Sequence, residues 1–182
     1  MGKMKCFMGI VVCSLLVCIF PVNVSAQQGA EPKQNDSRES IIAFFNLNDS
    51  KEQSITVYDE RGEAFDIKML PNLEKEYLPL GSFSRRFEAT GFSTTMSAKL
   101  IGITNPYVST ISSVSDGLFN ATILTWLKDS YFIENSSTTS NSSPASARYT
   151  ATFTSYIGNT ATRSLRFSLY LNGYIEVSVT YA

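Results

Sequence analysis

The chain has 182 residues, no histidine, three cysteines, 15 basic against 16 acidic side chains and a formal charge of −1. With no imidazole anywhere, a Ser-His-Asp triad and a Cys-His pair are excluded as catalytic machinery. The near-neutral, slightly acidic balance argues against a nucleic acid or an anionic membrane as partner.

The first 26 residues read as an export signal. Lys3 and Lys5 precede an uncharged apolar run from Cys6 to Phe20, and Pro21 then ends any helix. The run is shorter than the ~20 residues a spanning helix needs. Val24-Ser25-Ala26 presents small residues for cleavage between Ala26 and Gln27. All three cysteines (Cys6, Cys13 and Cys18) lie in the removed part, as do Lys3 and Lys5, so the charge of −1 falls by two to −3. The expected mature chain is therefore secreted, free of disulfides, and without thiolate or imidazole ligands for zinc, copper or haem. No metal or other cofactor is expected, and no membrane contact after cleavage.

Gln27 to Ser40 is polar, with Gly29 and Pro32, and is expected to be a disordered leader. Residues 41–182 are long enough for one domain with its own core. Ile41 to Asn48 reads as a short helix or an edge strand, with the edge strand favoured. Ser54 to Asp59 and Glu63 to Leu70 alternate at the strand period, with Phe65, Ile67 and Met69 on one side, and Asp59-Glu60-Arg61-Gly62 supplies the turn between them. Glu76 to Leu80 and Ser82 to Glu88 are two shorter strand candidates.

Thr95 to Thr104 is expected to be a buried strand, and Asn105-Pro106 separates it from Tyr107 to Ser113. Leu118 to Lys128 reads as one strand, which puts Trp126 on the side of Asn120, Thr122 and Lys128. Tyr131 to Glu134 continues it or begins another. Asn135 to Ala147 is a Ser/Thr/Asn-rich stretch expected to be a long mobile loop. Arg148 to Ile157, Thr162 to Asn172 and Tyr174 to Tyr181 alternate cleanly. Asn172-Gly173 predicts a hairpin, because a type I′ turn needs positive φ at both positions. The fold expected from these eight to ten short strands is an all-β, antiparallel β-sandwich or open barrel.

The stretch Ile55 to Lys68 (ITVYDERGEAFDIK), a strand, a Tyr-Asp-x-x-Gly turn and a returning strand ahead of a Ser/Thr-rich β region, resembles a family of small secreted proteins of Gram-positive bacteria. That family is classed as a domain of unknown function. The resemblance implies secretion and a β-rich fold, and brings no catalytic residues with it.

Three constellations invite a functional reading. Asp59, Glu60, Glu63 and Asp66 fall within eight residues, but the spacing does not suit a calcium loop, and a solvated hairpin explains them. A hydrolase working through Asp59, Glu63 or Asp66 is the enzymatic alternative; it needs two carboxylates converging in a cleft, one with a raised pKa. Asn46-x-Asn48-Asp49-Ser50 resembles a calcium loop without its glycine and closing glutamate. Trp126 is the single tryptophan, and beside hydrogen-bonding groups it could stack on a sugar ring, with Tyr107, Tyr131 and Phe132 joining the surface; packing in the core or an interface is the plainer role. Asn35, Asn48, Asn120, Asn135 and Asn141 sit in Asn-x-Ser/Thr sequons, glycan sites in a eukaryotic host and chance occurrences in a bacterial one. The expected function is a secreted, non-catalytic binding or adhesion module, with carbohydrate or a protein as partner; a structural or inhibitor protein acting through its partner is a further alternative.

Overall fold

The computed structural model describes residues 40–71, 81–122 and 126–181. The expected signal, its cleavage site at Ala26 and Gln27, the leader up to residue 39 and the strand candidate Glu76 to Leu80 lie outside the described residues.

The described chain is an antiparallel β-sandwich. Its strands are β1 (Ser40–Asn46), β2 (Gln53–Tyr58), β3 (Ala64–Leu70), β4 (Ser82–Gly91), β5 (Thr94–Thr104), β6 (Ser109–Ala121), β7 (Trp126–Asn135), β8 (Ser137–Thr138), β9 (Ala145–Thr154), β10 (Thr160–Leu169) and β11 (Tyr174–Tyr181). One sheet has the order β1-β11-β10-β9-β7, the other β2-β3-β4-β5-β6-β8. Side chains alternate along a strand, so Phe65, Ile67 and Met69 of β3 point inward and meet Leu165, Phe167 and Leu169 of β10 and Ile175, Val177 and Val179 of β11 in one core. Phe87 joins the layers, its ring 5.2 Å from Phe167 and 5.9 Å from Phe45. With no disulfide, this apolar burial is the main source of stability, at about 25 cal/mol per Å².

The edge strand expected at Ile41 is β1, which among the described residues pairs with β11 alone. Three expectations need correction. Tyr107 to Ser113 and Leu118 onward are not separate strands: β6 runs through both, absorbing Asp116 and Gly117 as a bulge opposite Ala98, with Asp116 at φ 49. An Asp-Gly pair takes positive φ as readily in a bulge as in a turn. The strand expected from Leu118 to Lys128 is divided, since β6 ends at Ala121 and β7 begins at Trp126, so Trp126 and Asn120 do not share a strand face. The 135–147 stretch, expected to be a long mobile loop, is tied down by backbone bonds and by its own short polar side chains. Ile111 N–H donates to Ser136 O (2.8 Å), Asn135 Nδ2 to Pro144 O (3.0 Å) and Thr138 Oγ1 to Ser140 O (2.6 Å), and Ala145 and Ala147 are fully buried.

The Asn172-Gly173 hairpin forms with positive φ at both residues (64° and 79°), but over three residues, Leu171–Gly173, closed by Tyr170 N–H to Tyr174 O at 2.8 Å.

Candidate functional site

Because the strands run up and down, alternate loops gather at the same end of the sandwich. At one end the loops after β1, β5, β8 and β10 are stitched together by asparagines. Asn48 Nδ2 donates to Asn172 O at 2.8 Å, Leu47 N–H to Gly173 O at 2.8 Å, and Asn172 N–H makes a longer 3.4 Å contact with Asn105 O. Asn141 Oδ1, from the Ser/Thr/Asn-rich segment, accepts Leu171 N–H at 2.9 Å.

Two asparagines at this end, Asn46 and Asn105, cap their own turns. Asn46 Oδ1 accepts Asn48 N–H (3.0 Å), and Asn105 Oδ1 accepts both Tyr107 N–H (2.8 Å) and Val108 N–H (2.9 Å). Short polar side chains that bond the backbone two or three residues on are favoured in tight turns. Arg85 reaches this loop cluster from β4, donating to Leu47 O at 3.4 Å; burial lowers its pKa, and Asp49 works in the opposite direction. The motif that looked like a calcium loop thus uses its oxygens as turn caps, and no group of three or more acidic, Cys or His side chains is placed to hold a metal among the described residues.

Between these loops lies a cleft of about 300 Å³ lined by Asn48, Thr104, Asn105, Pro106 and Asn172. None of the five titrates. Tyr107 follows Pro106 directly at the tip of the β5–β6 loop and is 82 % exposed. An aromatic face beside amide and hydroxyl groups can stack on a ring while the neutral polar groups exchange hydrogen bonds with hydroxyls.

The chain matches no known protein family, and no curated protein matches it. Among solved structures, the crystal structure of a hypothetical protein from Listeria monocytogenes EGD-e is similar at 17 % identity and a TM-score of 0.37, over 76 % of this chain and 100 % of that one.

The four aromatics expected to form one surface are not brought together. Tyr107 stands at the asparagine end. Trp126 opens β7 at the opposite end, paired with Thr154, and is 50 % exposed. Phe132 shares its face of β7 six residues on, about 20 Å away at strand rise, with Arg148 over its ring at 5.5 Å. Tyr131 points to the other face, where it stacks on Tyr149 with ring centroids 5.3 Å apart and its hydroxyl accepts Gly117 N–H at 3.0 Å.

A second cleft of about 300 Å³, at the opposite end, is lined by residues that include Tyr58, Asp59, Glu60 and Tyr181. Of the three carboxylates named for a hydrolase, Asp59 lines it, with Glu60 beside it, and Glu63 and Asp66 do not. Asp59 Oδ1 accepts Arg61 N–H (2.9 Å) and Glu63 N–H (2.7 Å), and Asp59 Oδ2 receives Arg61 Nε (3.2 Å) and the Tyr181 hydroxyl (3.3 Å). Burial works to raise this carboxyl, but the Glu63 N–H, the two Arg61 donors and Tyr181 outweigh it and hold Asp59 below the usual carboxylate range. Asp66 bonds the Thr56 hydroxyl across the hairpin at 2.7 Å. These carboxylates build the turn that follows Tyr58.

Sequence reasoning marked Asn48, Asn105 and Asn172 only as turn residues or a weak metal motif. Their convergence is not legible by counting turns: the turns after β5 and β10 differ in parity, and they meet because the two-residue β8 interrupts the up-and-down order.

Proposed function

We propose that the protein is a secreted, non-catalytic binding module that takes a neutral, hydroxyl-rich ligand, a glycan, at its asparagine end. One observation carries the reading: a cleft walled by amides and a threonine hydroxyl, with no titratable group, beside a tyrosine that is 82 % exposed. Neutral sugars need many modest hydrogen bonds and an aromatic face rather than charge. The cleft supplies amides and a hydroxyl and Tyr107, next in sequence to Pro106, the aromatic face, on loops fixed by their own hydrogen bonds, so little ordering entropy is lost on binding. Export is supported by the residues before Gln27. No helix among the described residues is long and apolar enough to cross a membrane. The hydrolase alternative draws less support, because Asp59 is held ionised by turn donors rather than poised to give up a proton.

The test is calorimetric titration of the protein with neutral oligosaccharides: hexamers of β-1,4-linked glucose, β-1,4-linked N-acetylglucosamine and α-1,4-linked glucose. Tyr107→Ala is expected to weaken the binding hexamer about tenfold, as loss of ~1.4 kcal/mol of stacking requires. Trp126→Ala is expected to leave it within twofold. No binding of any hexamer, equal binding by Tyr107→Ala, or specific turnover of a substrate by the purified protein would contradict the reading.

A further inference from the structure

β7 is a sheet edge with unusual chemistry. It pairs with β9 on one side, and its other backbone edge has no strand partner among the described residues. Over its ten residues (WLKDSYFIEN), Trp126, Tyr131, Phe132 and Ile133 are each 41–51 % exposed. Long exposed apolar edges are templates for strand addition, and stable proteins normally shorten, charge or cover them. Here Lys128, Asp129 and Glu134 are also on the edge, so the charges restrict which partner and which register fit.

We propose that β7 pairs antiparallel with β7 of a second copy about a two-fold axis through Ser130, joining the two five-stranded sheets into one. Directly opposed residues in an antiparallel pair lie on the same face of the sheet. An axis perpendicular to the sheet must therefore pass through a residue, so that outer-face side chains meet outer-face side chains. With the axis at Ser130, Leu127 falls opposite Ile133 of the second copy, and Lys128 opposite Phe132. Asp129 falls opposite Tyr131, and Trp126 has Phe132 on its diagonal; the regular ladder runs to Ile133, since β7 shifts register at Glu134. No like charges meet, and Glu134 stays with Arg166 (2.8 Å) and Arg148 (3.6 Å) of its own chain. Moving the axis one residue back sets Asp129 against Asp129; moving it one residue forward sets Asp129 against Ile133. The isologous arrangement closes at two copies and leaves no free β7 edge.

The chain from Gln27 onward contains the whole buried core, from Ile41 to Val179, and no cysteine, so a single introduced thiol reports the register. Across an antiparallel pair Cα atoms are about 4.5–5.5 Å apart, inside the ~4.4–6.8 Å span of a disulfide. Ser130→Cys is expected to give a disulfide-linked dimer on mild oxidation at 10 µM. Lys128→Cys is not, since its counterpart lies four residues away along the strand, roughly 13 Å. Sedimentation equilibrium of the unmodified chain should show a reversible monomer–dimer equilibrium. Phe132→Lys, which sets lysine against Lys128, should weaken it at least tenfold, while Phe132→Glu should keep the dimer. Phe132 is half exposed, so both variants fold, and circular dichroism checks it. A chain that stays monomeric at 100 µM, assembles beyond two copies, cross-links equally through positions 128 and 130, or dimerises unchanged with Phe132→Lys would overturn the proposal.

Discussion

Gly102 makes the most exacting test of how the asparagine end is built. It lies on β5 two residues before Thr104, where β6 takes up an extra residue, Ser112, in a second bulge. A Cβ at this position would sit 2.2 Å from the backbone oxygen of Thr110 and 2.9 Å from Cε1 and Cζ of the buried Phe83 ring. A normal carbon–oxygen contact is more than an ångström longer than that first distance. The obstruction is main chain and cannot rotate aside, so Gly102→Ala must push β5 and β6 apart. Overpacking a closed site costs about 1–3 kcal/mol, and the main-chain clash places this one at the top of the range. A strained ladder bond adds about 1 kcal/mol. The expected loss is about 3–4 kcal/mol, or roughly 10 °C in Tm for a domain of this size. Urea unfolding followed by Trp126 fluorescence and circular dichroism measures it. Gly62→Ala is the control: its φ is +81° and nothing lies within 4 Å of the added Cβ, so only the ~1–2 kcal/mol of a left-handed alanine applies. A Gly102→Ala protein within 1 kcal/mol of wild type, or more stable than Gly62→Ala, would refute the reasoning.

Three other outcomes are expected. Gly173→Ala brings a Cβ to 3.0 Å from both amide atoms of Asn48; it should dislodge that amide from Asn172 O and weaken glycan binding about tenfold, read by calorimetry, with the β-sheet spectrum unchanged. Tyr149 is raised well above the ordinary tyrosine value, first by burial and then by its 2.9 Å hydrogen bond to Asp129. The folded state therefore keeps its proton where the unfolded chain loses it, and stability should fall as pH rises above about 10. Absorbance at 295 nm should show a tyrosine that ionises only on unfolding, and Tyr149→Phe should abolish that late step. Asp59 is lowered, so its contribution is present above the ordinary aspartate value of about 3.8–3.9 and is lost as pH falls through the depressed folded value. Asp59→Asn should flatten that acid limb of the urea midpoint against pH.

The fold was legible where alternation and turn chemistry agreed. Phe65, Ile67 and Met69, then Leu165, Phe167 and Leu169, point inward as their spacing predicts, because the two-residue period of a strand leaves an apolar face no other place to go. Legibility failed where one local signal serves two structures. By sequence one strand ends at Ser113 and the next starts at Leu118, whereas β6 runs through the interval with Asp116-Gly117 as a bulge. Asn135 to Ala147 read as loose because it lacks apolar anchors, yet serine, threonine and asparagine side chains satisfy its backbone from within and Ala145 and Ala147 bury in the core. The site was less legible than the fold. By sequence Tyr107 is only an aromatic joining the Trp126 surface, while its polar neighbours come from loops as far as 124 residues apart in sequence, as between Asn48 and Asn172. Trp126 drew attention by being the single tryptophan, a property of composition that carries no information about which end of a strand it occupies.

The measurement that bears most directly on the binding-module account is a nitrogen–proton NMR titration with the neutral hexamer that calorimetry selects. Side-chain amide signals of Asn48, Asn105 and Asn172 report the asparagine end, and the Trp126 indole reports the opposite end of β7. The account predicts that the asparagine amides and the Tyr107 backbone N–H shift in proportion to occupancy while the indole signal stays in place. A shift confined to the indole, or amides that do not respond at saturating hexamer, would contradict it.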